Sequence, residues 1–334
     1  MSSTPTQILK MLLAGDSPPR PLWLPIVFAT GASLENLPLG VFLANPTKIS
    51  NSARQLRNHL QSDGIAGYFD PYLEAEAMGA VIDWGDEERP ACVAWPSTAL
   101  RGDLPPNLRS PEEALKAGRI RIAIDVIRRL KALVRDGSLL TAGVSGPLTL
   151  AARITQLEGV GSLTGNQPFE AAVEIATSTL TLLCAALVEE GTNVIFVREE
   201  VFPKLSAETG ERWSELLVPL FNIIRFYQAL PILQIPRSGA FAENLDLFLN
   251  RRWDCVVCPQ LVELESLIEQ LESSPLMLGA ALPQAPSVPA RESFDLVLSR
   301  LHPVIVSTIC DVTSTSEIGG LIEIGRRVRD GLRS

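Results

Sequence analysis

Residues 193–236 read NVIFVREEVFPKLSAETGERWSELLVPLFNIIRFYQALPILQIP. The stretch opens on a short β-branched run, NVIFVRE (193–199), passes through a helical pattern over 206–228, and closes on a second apolar run, LPILQIP (230–236). A strand, a longer helix and another strand in close succession mark a crossover between parallel strands. The same rhythm extends in both directions. Apolar runs recur at PLWLPIVF (21–28), GIAGYFD (64–70), LLTAGVSG (139–146), DCVVCP (254–259), PLMLGAAL (275–282) and PVIVSTIC (303–310), which makes eight in all. Helical patterns lie between them, at 50–62, 110–136, 168–190, 241–251, 260–272 and 291–301. Two helices have marked starts. Ser110-Pro111-Glu112-Glu113 combines a capping serine, proline at the first helical position and glutamate three residues after the cap, and Ser314 and Glu317 repeat that spacing before the last helix.

Eight strand–helix units in 334 residues predict a single (β/α)8 TIM barrel. An open doubly wound sheet would have fewer strands and a phosphate-binding glycine fingerprint. The one Gly-rich candidate, Gly159-Val160-Gly161 with Gly165, has the wrong spacing and follows a helical segment, so it reads as a loop. Residues 1–20 read as an N-terminal extension and 21–334 as the barrel. The Pro-rich stretches 84–110 and 283–291 each follow a strand, which predicts extended loops on the C-terminal face, candidate lids over the site.

Composition narrows the function. With 46% hydrophobic residues the chain can build a large core, so disordered, collagenous and disulfide-scaffold classes are excluded. Lys and Arg number 29 against 38 Asp and Glu, and a net charge of -9 argues against a nucleic-acid or anionic-membrane partner. The apolar runs, such as LTLLCAALV (180–188), fall short of the roughly 20 residues that cross a bilayer. The N-terminus lacks a cleavage-like tail, and the five cysteines are an odd number, so the expected compartment is the reducing cytoplasm. Two histidines leave little material for a His-rich metal centre.

In a barrel the chemistry sits where strands end at the C-terminal face. Those ends carry Asp70, Ser145, Arg198, Glu199, Glu200, Gln234, Arg237, Cys258, Cys310 and Asp311. Asp70 closes an uncharged strand and precedes Pro71. It is the first acid-base candidate, with Glu199 or Glu200 as the second. Arg198 and Arg237 have the guanidinium geometry to clamp a substrate carboxylate. The plain alternative is that Arg198, Glu199 and Glu200 form a solvated ion-pair cluster. Cys255-Val256-Val257-Cys258 looks like a metal motif, but residues three apart on a strand point to opposite faces. Cys255 therefore reads as a buried small hydrophobe, and Cys258 with Cys310 as a weak alternative metal pair that lacks a third ligand. His302 precedes its strand and His59 lies in a helix, so neither is a good ligand. The run GRIRIAIDVIRRLKALVRDG (118–137) spaces apolar residues helically between arginines and reads as the outer face of a barrel helix.

Three segments resemble the uroporphyrinogen decarboxylase superfamily. GIAGYFDPYLEAEAMGAVIDW (64–84) is similar to its second-strand segment, in which an aspartate precedes an Ala-apolar-Gly element, here Asp70 and Ala77-Met78-Gly79. VSGPLTLAARI (144–154) is similar to the turn after its third strand, and ICDVTSTSEIGGLIEIGRRV (309–328) to its final strand, turn and helix. The resemblance implies a TIM barrel that often dimerises, and either a cofactor-free decarboxylase or a methyltransferase working with corrinoid proteins. In the decarboxylase branch an Arg-rich segment after the first strand binds substrate carboxylates, whereas PLWLPIVFATGASLENLPLG (21–40) contains no arginine. That branch's tyrosine after the Thr-Leu turn falls at Arg153, which becomes a substrate-binding candidate, and its late histidine falls near Cys310. The thiol-methylating branch holds zinc with a His-x-Cys pair after the fifth strand and a later cysteine. Here the pair reads Gln234-Ile235-Pro236, and only Cys310 is kept.

By elimination the resemblance implies a methyltransferase that moves a methyl group between a small substrate and a corrinoid or folate carrier. No tightly bound cofactor is expected; the candidates are cobalamin on a partner corrinoid protein, or tetrahydrofolate. The alternatives are a decarboxylase of a porphyrinogen or other carboxylated substrate, and a non-catalytic protein that binds a tetrapyrrole or a carrier.

Overall fold

The computed structural model describes the chain except residues 1–2, 86–90, 96–99, 135–136, 158–166, 238, 251–252, 259–260, 283–287, 314–317 and 331–334. The expected loop at Gly159 to Gly165, the cap at Ser314 and Glu317, and most of the lid at 283–291 therefore lie outside the described residues.

Each of the eight apolar runs holds a strand. They are β1 (Leu22–Trp23), β2 (Gly64–Tyr68), β5 (Leu139–Ser145), β6 (Val194–Arg198), β7 (Leu230–Gln234), β8 (Val256–Cys258), β9 (Leu278–Leu282) and β10 (Ile305–Thr308). They pair in parallel in the order β1-β10-β9-β8-β7-β6-β5-β2. Helices wrap the outside, so the chain is a single (β/α)8 barrel.

One aspartate joins the two end strands of that order. Asp63 N donates to Trp23 O at 2.9 Å, Trp23 N donates back to Asp63 Oδ2 at 2.8 Å, and Arg20 grips both carboxylate oxygens at 2.6 and 2.8 Å. At the other end of the same segment, Asp311 accepts from Phe28 N and Ala29 N at 2.7 and 2.8 Å. β1 is shorter than the run that predicts it, because Pro25 has no N–H to give the ladder. Beyond the proline, Ile26 N donates to the Thr308 hydroxyl instead.

Three sequence expectations change. The loop over 84–110 is partly ordered by an antiparallel hairpin, β3 (Val81–Asp83) with β4 (Cys92–Ala94). The helices expected at 241–251 and 260–272 are each two short helices, Ala240–Glu243 with Leu245–Leu249 and Leu261–Ser266 with Ile268–Leu271. The helix expected over 110–136 is also broken. Ser110 and Glu113 form the capping box, but the helix they open ends at Ala114, and a second begins at Ile120. Gly118 between them adopts φ 55°, a conformation open to glycine, and turns the chain back toward Glu76.

Residues 1–20, read as an extension, contain the helix Pro5–Ala14, whose Ile8, Leu9 and Leu12 are buried in the common core. The helix Gln167–Glu189 is long and apolar enough to cross a bilayer, although no uninterrupted run in the sequence suggests it. In the fold it packs between the helices Pro147–Thr155 and Ala207–Phe226, burying Ala172, Ala176, Leu180, Leu183 and Leu187 on one face.

Candidate active site at the barrel mouth

After β2 the chain passes over the C-terminal rim at Asp70. The residue is 3% exposed. Its Oδ1 accepts from Tyr72 N at 3.0 Å, a local turn that fixes the carboxyl against its own backbone, and its Oδ2 lies 2.8 Å from Arg119 Nη1. Burial pushes the carboxyl up to about 6, against the opposing pull of the Arg119 charge and the Tyr72 N–H.

Arg119 is the residue that the sequence reading placed on an outer helix face. Because the Gly118 turn precedes it, its side chain is directed inward and is 8% exposed. Its Nε donates to Glu76 Oε2 at 2.8 Å, and the guanidinium lies over Trp84, 4.7 Å from the ring centroid. Trp84 stands edge-on to Tyr72 at 6.0 Å.

A second network crosses the mouth from β5 to β10. Ser145, the last residue of β5, donates through N and Oγ to the two oxygens of Glu74, both at 3.0 Å. The same hydroxyl accepts from Arg153 Nη1 at 2.6 Å. Arg153 also donates to Pro71 O at 2.6 Å and to Glu200 Oε2 at 2.5 Å. Arg198 Nη1 lies 3.4 Å from Glu200 Oε1, while its Nε donates to Gln234 Oε1 at 3.1 Å. Gln234 passes the chain on, donating from Nε2 to Thr308 O at 2.9 Å. Phe69, Asp70, Gly143, Ser145, Arg198 and Glu200 line a small cleft at this point. Gly143 is required there, because a Cβ would lie 2.4 Å from the Phe69 ring.

Asp70, Arg153, Arg198, Glu200 and Gln234 are thus brought together. The others are placed differently. Glu199 points below the cleft and caps the helix Pro147–Thr155, accepting from Leu148 N at 3.1 Å, from Thr149 N and Oγ1 at 2.9 Å, and from Trp213 Nε1 at 3.2 Å. Burial pushes its carboxyl up to about 7, opposed by these donors. Arg237 binds Phe202 O at 2.8 Å and Glu243 at 2.5 Å, holding a neighbouring loop. Cys310 follows β10, and its carbonyl accepts from the Thr308 hydroxyl at 2.9 Å. Cys258 ends β8, and its side chain lies outside the described residues. Among the described residues no three His, Cys, Asp or Glu side chains group to hold a metal, and the amide of Gln234 is committed to Arg198 and Thr308. Cys255, just before β8, is buried, as the sequence leads one to expect, and burial pushes its thiol up.

Sequence reasoning missed Arg119, Glu74 and Glu76. Glu74 is fully buried and pushed up to about 7 by that burial. The available signal was the run Asp70-Pro71-Tyr72-Leu73-Glu74-Ala75-Glu76, three acids within one turn-and-helix segment at a strand end, together with a glycine interrupting the helical pattern just before Arg119.

Comparison with known proteins bears on the family and the fold. A segment of the chain is 29% identical over 132 residues to a methylcobamide:CoM methyltransferase of Methanosarcina barkeri, covering 38% of this chain and 37% of that protein. Another alignment is 26% identical over 156 residues to a methylated-thiol–coenzyme M methyltransferase of Methanosarcina mazei, covering 45% and 40%. The matched part thus spans only about two-fifths of these relatives' length. Among solved structures, a methyltransferase from Methanosarcina mazei superposes over 98% of both chains with a TM-score of 0.76 at 16% identity, a likeness of fold. Residues 5–224 match the profile of the uroporphyrinogen decarboxylase family, and the chain belongs to that family.

Proposed function

We propose that this protein is a methyltransferase that moves a methyl group between a small substrate and a corrinoid or folate carrier, the corrinoid being held by a partner protein. Asp70 is the acid-base group at the reacting atom, Glu200 its neighbour across the cleft, and Arg153 and Arg198 frame the substrate. One observation carries the reading: each guanidinium at the mouth is already engaged by a carboxylate. Arg119 faces Asp70 and Glu76, and Arg153 and Arg198 share Glu200. A substrate bearing several carboxylates would need free cations here. A neutral or cationic methyl donor fits this balance better, which favours methyl transfer over decarboxylation.

A bound corrinoid would supply a nucleophilic metal that accepts the methyl group. The chain's own part is to hold the donor in the cleft and to protonate the oxygen or nitrogen that loses the methyl, a step for which a carboxyl near 6 is suited. Glu199 serves as a positioning residue, holding the helix that carries Arg153. Arg237 and Cys310 stand at neighbouring rim positions and belong to substrate selection rather than to proton transfer.

The test is to incubate the protein with methyl ethers, methylamines and methyl thioethers, using reduced cobalamin and tetrahydrofolate as acceptors. A methylated acceptor that forms with wild type and far more slowly with Asp70→Asn is expected. No methylated acceptor from any donor, or equal rates in the two proteins, overturns the proposal.

A further inference from the structure

Between Asp70 and Glu76 lies a cation that neither the cleft nor the resemblance assigns a task. Arg119 is buried, yet only its Nε makes an aligned side-chain hydrogen bond, to Glu76 Oε2. Its Nη1 reaches Asp70 Oδ2 at 2.8 Å without hydrogen-bond alignment, and among the described residues Nη1, Nη2 and Asp70 Oδ2 have no hydrogen-bond partner. A buried arginine serving only to hold the fold would be expected to use its donors fully, because each unmet one costs desolvation energy. Here the guanidinium is fixed from the opposite side. Glu76 pins one edge, the Trp84 ring supports the plane at 4.7 Å, and Trp84 is itself packed on Gly40, where a Cβ would come within 2.9 Å of the ring.

We propose that Arg119 is a positioning residue of the site: clamped by Glu76 and Trp84, it presents its Nη1 edge to Asp70 Oδ2 and so fixes both the orientation and the protonation of that acid. The unaligned pair leaves Asp70 Oδ2 able to carry a proton, which a fully bidentate pairing would oppose. One cation is shared by two carboxylates, so Asp70 is only partly neutralised. The other groups that face Asp70 are Tyr68 and Tyr72 from its own segment, Arg153 from the helix after β5, and Asp311 from the loop after β10. Arg198 and Glu200 share its cleft.

The inference rests on Asp70 being the acid of the proposed reaction, but its test does not require turnover. Aspartate labelled with carbon-13 at Cγ reports the titration of Asp70 directly, with Asp70→Asn assigning the resonance. Arg119→Gln should move that titration upward by about one unit or more, because the favourable cation is gone. Glu76→Gln should move it downward, because a repelling charge is removed and Arg119 then serves Asp70 alone. Arg121→Gln, an exposed arginine on the same helix, serves as the control for net charge. Opposite shifts from the two variants support the role, and an unchanged titration in Glu76→Gln overturns it. Glu76 is partly exposed, so that variant carries the test even if Arg119→Gln fails to fold. A wild-type rate in Asp70→Asn would overturn the proposed reaction while leaving these shifts interpretable.

Discussion

Gly146 lies flat against the carboxyl group of Glu199: a Cβ on the glycine would sit 2.1 Å from Glu199 Cδ. The backbone φ of -77° suits any residue, so the glycine is required by close approach alone. That approach lets Glu199 reach the first amides of the helix carrying Arg153, where its charge also complements the helix dipole. Gly146→Ala should displace Glu199 and cost about 1–3 kcal/mol of stability. Glu199→Gln should cost a similar amount, roughly 1–3 kcal/mol, because its NH2 replaces one of the two oxygens and so faces either the Leu148 or the Thr149 donors. Thermal or urea melts check both, and a wild-type midpoint for Gly146→Ala would show that the carboxyl moves aside freely.

The seam between β1 and β2 makes a separate claim about stability. Asp63 there satisfies both an arginine and a backbone amide while 4% exposed. Replacing it with asparagine removes the charge and leaves Arg20, 10% exposed, without its counter-ion. The expected loss is about 3 kcal/mol, the usual range for breaking a buried pair. Hydrogen exchange should show the loss concentrated at Trp23 and Asp63, and uniform protection across the barrel would contradict the seam.

All eight barrel strands are legible in the sequence because each is a short apolar run that a parallel strand buries on both faces. Asp70, Arg153, Arg198, Glu200 and Gln234 are legible as a site because barrel geometry alone gathers strand ends on one rim. Glu199 was misplaced for a local reason. It adjoins Glu200, and successive side chains at a strand end point opposite ways, so one of the pair had to leave the cleft. Arg119 was hidden more deeply. Its position depends on a helix break at Gly118, and a helical pattern with arginines at regular spacing conceals such a break. Glu74 was hidden because its partner, Ser145, lies 71 positions away in the chain.

Arg153 should be sensitive even to lysine. Its Nη1 serves Pro71 O and Ser145 Oγ while Nη2 serves Glu200, a fork that a single ammonium cannot reproduce. Both Arg153→Lys and Arg153→Ala should release Pro71 and the Asp70 turn it follows. The expected effect on methyl transfer is a fall of about 10- to 100-fold carried mainly by kcat, because the misplacement affects the acid more than the binding surface. A change confined to KM would instead limit Arg153 to framing the substrate, with no part in placing the acid.

The pH profile should carry the signature of Asp70. The proposed step consumes a proton, so the active form is the protonated acid, and burial places its pKa at about 6. As pH rises through that value the protonated fraction falls, and kcat/KM should decline about tenfold per unit above it. A carboxylate acting as a base would give the opposite slope, rising toward a plateau above 6. Glu74 and Asp311, both pushed up to about 7 by burial, also titrate close to this window. The two contributions separate in Asp70→Asn. There the limb near 6 should vanish from the residual activity, while a limb set by the two neighbours would persist.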